Sequence, residues 1–349
     1  MTFIKRINKV RRNLLRGITR NIGNADNLKG IGPVKSEEIK KVLICRPNHR
    51  LGNMLLITPL VQEVSDAFPG CKIDLFVKGN AALLIFKNYD CIDQIIKLPK
   101  DHFRHIFKYF GVWFSLRRKK YDLVINAARN SSSGRLSTKI ARSRIKLFGV
   151  DKDVLSHKYP DFNHLAKYPV YSFREDLKRL GTDRTGREIA PLNIKLNEEE
   201  LANGKEILRG YAKKDAKTIS IFTFATGAKC YSREWWAEFH SMLKAKYPDL
   251  NLVEILPVEN VSQIDFIEPS YYSKDVREIC SVMANTEVFV GADSGMMHLA
   301  SASSVPTLGL FSVTNVNSYD PYGNKSKGLN TNDISKEDII REIDAVLLG

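Results

Sequence analysis

Short apolar runs recur along this chain, and nearly every one is followed by residues whose apolar positions repeat at helical spacing. The runs are Lys41–Cys45 (KVLIC), Ile73–Val77, Leu123–Asn126, Ile145–Phe148, Thr218–Phe222, Leu252–Leu256, Val288–Val290 and Thr307–Phe311. An apolar run without alternation suits a strand covered on both faces, which is the situation in a parallel sheet. Strands of that kind alternating with helices indicate an open α/β fold. Cys91–Leu98 is expected as a further strand. Helices are expected at Asn53–Phe68, Ala81–Phe86, Phe103–Arg118, Arg233–Lys246, Lys274–Ala284, Met296–Ser303 and Asp333–Leu348. Residues 160–215 interrupt the pattern with a charged, glycine-containing stretch at Gly181–Arg187 and a helix-like segment at Glu198–Tyr211. The expected architecture is two Rossmann-like halves in tandem. They span residues 40–185 and 216–349, with an inter-domain connection at 186–215 and an N-terminal extension at 1–39.

A chain of 349 residues accommodates two such domains without disulfide support. Its five cysteines are odd in number and form no C-x-x-C, which argues for a reducing compartment and against a zinc ribbon. No run reaches the apolar length of a membrane-spanning helix, and the first thirty residues lack a signal-peptide pattern. Charge is distributed unevenly. Residues 1–170 hold 33 Lys/Arg against 13 Asp/Glu, while residues 171–349 carry a net charge of −5. One half therefore faces an anionic partner: nucleic acid, anionic lipid or a phosphorylated substrate.

Residues 3–20 continue that basicity in an amphipathic pattern. Phe3, Ile4, Ile7, Val10, Leu14, Leu15 and Ile18 form an apolar face, and seven Lys/Arg fill the other positions. Such a helix either lies on an anionic bilayer or packs on the protein's own body. Residues 22–39, with Gly23, Gly30, Gly32 and Pro33, read as a linker. Nucleic-acid binding is disfavoured, because no helix-turn-helix, zinc-finger or RNA-recognition pattern is present and aromatics do not interleave with the basic clusters.

Three loops at expected strand ends carry the chemistry. Val288–Pro306 (VFVGADSGMMHLASASSVP) reads as strand, small-residue loop and helix. Backbone N–H groups at such a helix start, with the helix dipole, favour an anion. Ser294 adds a hydroxyl, and His298 lies about one turn further on; the plainer alternative is an ordinary cap with His298 exposed. Phe224–Trp236 (FATGAKCYSREWW) places Lys229 just ahead of a helix that Ser232 caps. Arg46–Asn53 (RPNHRLGN) is basic and polar after the first strand. Open α/β sheets bind ligands at the carboxyl ends of their strands, so the loops are expected to converge. Neither a Walker A pattern nor G-x-G-x-x-G occurs in them.

The segments RPNHRLGNMLLITPLVQEVSDAFPGCKIDLFV (46–77), GAKCYSREWWAEF (227–239) and VGADSGMMHLASASSVPTLGLFSVT (290–314) resemble glycosyltransferase family 9, which includes the ADP-heptose:lipopolysaccharide heptosyltransferases. The resemblance spans roughly residues 40–325. It implies a GT-B fold, two Rossmann-like domains facing across a cleft. The N-terminal domain would take the acceptor and the C-terminal domain the nucleotide-sugar, with inverting transfer. It implies no metal or other cofactor, the donor being a nucleotide-diphosphate sugar, ADP-heptose first. Asp151-Lys152-Asp153 has D-x-D spacing but lies in the other half. By position, Lys229, Ser294, Gly295, Met296 and His298 would hold the diphosphate. Asp293 would orient the loop or contact the nucleotide, and Glu259 falls where an acidic residue meets the ribose. The acceptor implied is an anionic lipid-linked glycan at the cytoplasmic face of a bacterial inner membrane, with the protein docked peripherally there. Arg117–Lys120, Arg129, Arg135, Lys139, Arg142 and Arg144 are candidates to meet it.

One position departs from the family pattern. R-L-G-D there carries an aspartate suited to general-base work, whereas this chain has Arg50-Leu51-Gly52-Asn53. A neutral amide does not take up a proton usefully. Either His49 in the same loop serves as base, or Asn53 positions the acceptor while leaving-group stabilisation carries the rate, or the chain is catalytically impaired. Asn53 also suits a plain helix cap. The alternative to an enzyme is a non-catalytic GT-B protein that binds nucleotide-sugar or scaffolds envelope-glycan assembly.

Overall fold

The N-terminal apolar runs form a five-stranded parallel sheet, β1 (Lys41–Arg46), β2 (Lys72–Lys78), β3 (Ile92–Leu98), β4 (Lys120–Asn126) and β5 (Arg142–Leu147). Their order is β3-β2-β1-β4-β5. The C-terminal runs form a second parallel sheet from β6 (Thr218–Phe222), β7 (Asn251–Ile255), β8 (Ser270–Tyr271), β9 (Val288–Ala292), β10 (Thr307–Phe311) and β11 (Lys327–Asn330). Its order is β11-β10-β9-β6-β7-β8. Both sheets reverse their winding beside their first strand, between β1 and β4 and between β6 and β9. Those are the switch points at which open sheets form crevices. The computed structural model describes residues 17, 19, 21–23, 27–99, 106–212 and 216–348. The amphipathic pattern at 3–20 lies almost wholly outside the described residues.

Burial follows the sequence logic. Every residue of β6, β7, β9 and β10 is buried, as helices on both faces require. The largest core cluster runs through both domains, from Val42, Ile44 and Leu123 to Phe289, Met297 and Leu299. A second lies between the C-terminal sheet and the helices Arg233–Lys246 and Lys336–Leu348, around Trp236, Phe239 and Ile343. All five cysteines are free thiols. No described helix is long and apolar enough to cross a membrane.

Some expectations need correction. The helix expected at Asn53–Phe68 is two, Leu51–Leu55 and Thr58–Ala67. Pro59 lacks an N–H and disfavours helical geometry in the residue before it, so it starts a new helix. Because the first helix begins at Leu51, Asn53 sits inside it and is not its cap; Arg50 holds that position. Residues 160–215 contain a full helix at Lys167–Arg179 besides the one at Glu198–Arg209. A polar helix at Ser132–Ile140 and the short strands β8 and β11 were not expected.

Polar clamps hold the two halves together. Arg277, buried on the helix Val276–Met283, donates to Leu84 O (2.8 Å) in the N-terminal domain. It also donates to Ile194 O (3.1 Å) and Lys195 O (3.0 Å) and pairs with both oxygens of Glu200 at 2.5 and 2.7 Å. Gly204 beside this clamp cannot carry a side chain, since a Cβ there would come within 2.4 Å of the Ser281 backbone. Arg277→Ala would leave three carbonyls without their donor and Glu200 with only the more distant, exposed Lys87 as its cation. Loss of one partner of a buried pair costs roughly 3–5 kcal/mol. Urea unfolding of Arg277→Ala is expected to show a fall of that order; a change below about 1 kcal/mol would mean the clamp is not structural.

Candidate functional site

Three neighbouring strands of the C-terminal sheet, β6, β9 and β10, end at one place and supply its chemistry. After β9 comes Asp293, then Ser294, which caps the helix Gly295–Ala302 by accepting from Met297 N–H at 3.3 Å. The first N–H groups of that helix have no intrahelical acceptor and carry the positive end of its dipole. After β6, a short 3-10 turn at Gly227–Lys229 delivers Lys229, with Gly227 at a φ of +69° that suits glycine. Its ammonium donates to Asp293 Oδ2 at 2.5 Å. After β10, Thr314 donates its hydroxyl to the same carboxylate oxygen. Asp293 is almost fully buried, while the Lys229 side chain is one-third exposed. One carboxylate thus ties three loops together and holds a lysine at the surface of the site.

Tyr319 covers this group. Its ring centroid lies 5.7 Å from the Lys229 ammonium and 6.0 Å from the His298 ring. His298 is buried, contrary to an exposed reading, and its Nδ1 has no hydrogen-bond partner among the described residues. Burial holds its imidazole down to about 4, with His164 and Lys229 adding to the effect and Asp293 opposing it. His164, also buried, is likewise held down to about 4; its Nε2 meets Asp320 O at 2.8 Å.

The N-terminal loop meets this site from the other domain. A Cβ on Gly52 would lie 2.9 Å from His298 Cδ2 and 3.5 Å from Gly295 Cα. The helix Leu51–Leu55 therefore abuts the start of Gly295–Ala302 through two glycines, and a side chain at 52 would force the domains apart or the His298 ring aside. Asn53, half-buried, accepts from Arg46 Nη2 at 3.3 Å. Arg46 is at the carboxyl end of β1, and its Nε is buried without a partner among the described residues. Burial lowers its pKa, with Tyr319 acting in the other direction.

Lys229, Asp293, Ser294, Gly295, Met296 and His298 thus lie together on neighbouring loops, and Asn53 is on the helix whose Gly52 meets them. His49 is exposed on the preceding loop. Glu259 is exposed in the turn after β7 and makes no hydrogen bond or ion pair with the described residues. The loop it belongs to is anchored instead by Glu254 at the end of β7, which accepts from Thr223 Oγ1 at 2.5 Å. Burial raises the Glu254 pKa. Asp151 and Asp153 have local roles, since Asp151 caps the helix Lys152–Ser156 and pairs with Arg129 at 2.7 Å. Among the described residues no group of three or more His, Cys, Asp or Glu is placed to hold a metal. Arg46, Thr314 and Tyr319 were not foreseen. The one signal available for Arg46 was an arginine directly following a buried apolar run.

Comparison with known proteins bears on the family and the fold. Residues 274–343, which contain the β9 loop and its helix, match the family model described as glycosyltransferase family 9 (heptosyltransferase). Lipopolysaccharide heptosyltransferase 3 of Escherichia coli is 21% identical over 295 residues, covering 78% of this chain and 84% of that one. The crystal structure of a glycosyl transferase family 9 protein from Veillonella parvula DSM 2008 superposes with a TM-score of 0.71 at 19% identity, over 90% of this chain and 99% of that one. The structure of E. coli heptosyltransferase WaaC with ADP superposes with a TM-score of 0.63 at 17% identity, over 88% and 99% of the two chains. These likenesses establish the GT-B architecture of two parallel-sheet α/β domains.

The two buried histidines set a pH dependence. Each binds a proton less readily folded, at about 4, than at its ordinary value of 6.5. Their contribution to stability is therefore complete above about pH 6.5 and is withdrawn as pH falls toward about 4. In the folded protein the His164 and His298 ring resonances are expected to remain those of neutral imidazole at about pH 5.5, with stability to urea falling below about 6.5. Midpoints near 6.5 in the folded state would contradict this.

Proposed function

We propose that this chain, which belongs to glycosyltransferase family 9, is an inverting transferase that moves a heptose from a nucleoside-diphosphate donor to a lipopolysaccharide-core or related lipid-linked acceptor. The observation that carries this reading is the convergence of Lys229, the Asp293 carboxylate and the helix start at Ser294 on one half-exposed point of the cleft. A cation held by a buried anion and a row of helix N–H groups is suited to a diphosphate. That an E. coli heptosyltransferase of the same fold is described with ADP supports an adenosine donor here.

In the reaction the acceptor oxygen attacks the anomeric carbon as the bond from that carbon to the diphosphate oxygen breaks. The electron pair leaves with the diphosphate, where charge builds up. Lys229 and the N–H groups of Gly295 and Met296 stabilise that charge, and they are in position before the reaction begins. Asp293 keeps the lysine in place. No metal is required for this step, because the charge-stabilising groups belong to the chain itself.

On the acceptor side, Asn53 positions the attacking hydroxyl with help from the Arg46 guanidinium that already holds its amide oxygen. His49 lies on the loop three residues beyond Arg46 and carries a side chain of the type that titrates near neutrality. It takes the acceptor's proton. Glu259 on its exposed turn meets the ribose. The acceptor presents its phosphates at the cytoplasmic face of the inner membrane, to which the basic half of the protein docks.

Transfer followed by mass spectrometry tests the proposal, with ADP-heptose as donor and a heptose-deficient core oligosaccharide, lipid removed, as acceptor. The acceptor is expected to gain one heptose. Lys229→Ala is expected to lower kcat/KM by about a hundredfold or more, as loss of a charge-stabilising group does elsewhere. Asn53→Ala is expected to raise the acceptor KM, and His49→Gln to remove the acid limb of the rate profile. Binding of ADP-heptose without any transfer would favour the non-catalytic reading.

A further inference from the structure

Several cations of the N-terminal domain are held by partners of its own fold. Lys119 meets Asp74 and Asp93 at 2.8 and 2.9 Å, Arg129 meets Asp151, and Arg144 meets Glu38 at 3.3 Å. Arg135 is buried and donates to Thr19 O at 2.8 Å and to Arg129 O at 2.7 Å. These residues serve the fold, which removes them from the set expected to meet an anionic acceptor.

Four cations remain together. Arg117, Lys139, Arg142 and Lys146 line a groove of about 510 Å³ along β5, with Ile140, Ala141 and Ser143 completing it. No Asp or Glu lines it, and none of the four forms an ion pair with a described residue. The Lys146 ammonium donates only to Lys139 O at 2.7 Å. Burial, then Arg117 and Lys139, lower its pKa, which is the expected effect of cations crowded without an anion. β5 is the edge of its sheet, so the groove opens to the side of the domain and not into the cleft.

A second feature separates a bilayer from a soluble polyanion. Phe114 is 68% exposed on the helix Ile106–Arg118, while its neighbours Trp113 and Leu116 are buried. Arg117 and Arg118 lie three and four residues beyond it, on the same helix face. An exposed aromatic beside unpaired cations suits the interface of an anionic bilayer, where the ring enters among the headgroups and the cations meet phosphate. Thr19 is held by Arg135, and Arg135 lies one turn before Lys139 on the helix Ser132–Ile140.

We propose that the β5 edge, with the groove cations Arg117, Lys139, Arg142 and Lys146 and with the exposed Phe114 one turn before Arg117 on its helix, is the surface by which the protein docks on an anionic lipid bilayer. This rests on the reading that the acceptor is membrane-borne. The groove takes lipid phosphates, and Phe114 inserts beside them. The cleft, which opens at the carboxyl ends of the strands, is left free.

Co-sedimentation with vesicles tests the surface. The full chain is mixed with vesicles of phosphatidylglycerol and phosphatidylcholine in equal parts, and with phosphatidylcholine alone. Wild type is expected to bind the first and not the second, and to release as salt rises. Replacing all four groove cations with glutamine is expected to weaken binding by at least about tenfold. Phe114→Ser is expected to weaken it less but at all salt concentrations. A control replacing Lys205, Arg209, Lys274 and Lys325 with glutamine makes the same charge change on the connecting helix and the other domain and is expected to bind as wild type does. Equal binding by the groove variant and wild type would overturn the proposal, as would equal loss in the control. Loss of binding to a single-stranded oligonucleotide, with vesicle binding intact, would assign the groove to nucleic acid and overturn it too. Transfer to the lipid-free acceptor is expected to persist in the groove variant. Absence of that transfer in wild type would count against the proposed reaction, whereas the vesicle result stands independently.

Discussion

A carboxylate taken out of water has to find cations or hydroxyls, and Asp293 finds them on two other loops. Its partners, Lys229 and Thr314, come from the ends of β6 and β10, the strands on either side of β9 in the sheet. The requirement of one buried anion therefore fixes the relative positions of three loops. It also sets the electrostatics of the site. Lys229 is held at the surface by a counter-ion beneath it, one-third exposed, with the Tyr319 ring to one side. The helix start at Ser294 adds its N–H groups at the same point. Without the carboxylate, the lysine would be one more exposed cation with many rotamers.

The second constraint is steric. Gly52 and Gly295 let the two domains approach where the acceptor and donor loops meet, and the His298 ring packs against that contact. The approach explains why His298 is neutral, since both domains and Tyr319 keep water from it. Arg277, from the C-terminal half, fastens the domains at a distance from the chemistry by holding carbonyls of the N-terminal half and of the connecting segment. The position of Asn53 relative to the donor site thus depends on a glycine contact close by and an arginine clamp further away.

Much of the fold was legible because buried parallel strands leave a local trace. KVLIC and TISIF needed no tertiary information to be read as strands. What was missed lacked that trace. β11 is Lys-Gly-Leu-Asn and contributes a single core side chain, Leu329, and the helix Ser132–Ile140 is made mostly of polar residues. The break at Pro59 was legible in principle, but a regular apolar spacing on both sides concealed it. At the site, Lys229, Asp293, Ser294 and His298 were visible because each follows a strand. Thr314 and Tyr319 were not, because their roles depend on folding a later loop back over Asp293. The neutral state of His298 was out of reach as well, since it arises from a domain more than 200 residues earlier in the chain.

The central claim is that Lys229, held by Asp293, is a diphosphate-binding cation. Calorimetric titration with ADP and with AMP, on wild type and Lys229→Met, tests it most directly. The account predicts that wild type binds ADP more tightly than AMP. In Lys229→Met that preference should shrink by about tenfold or more, as loss of a charge-assisted hydrogen bond would require. Equal preference in the two proteins would show that the diphosphate is held elsewhere and would contradict the account.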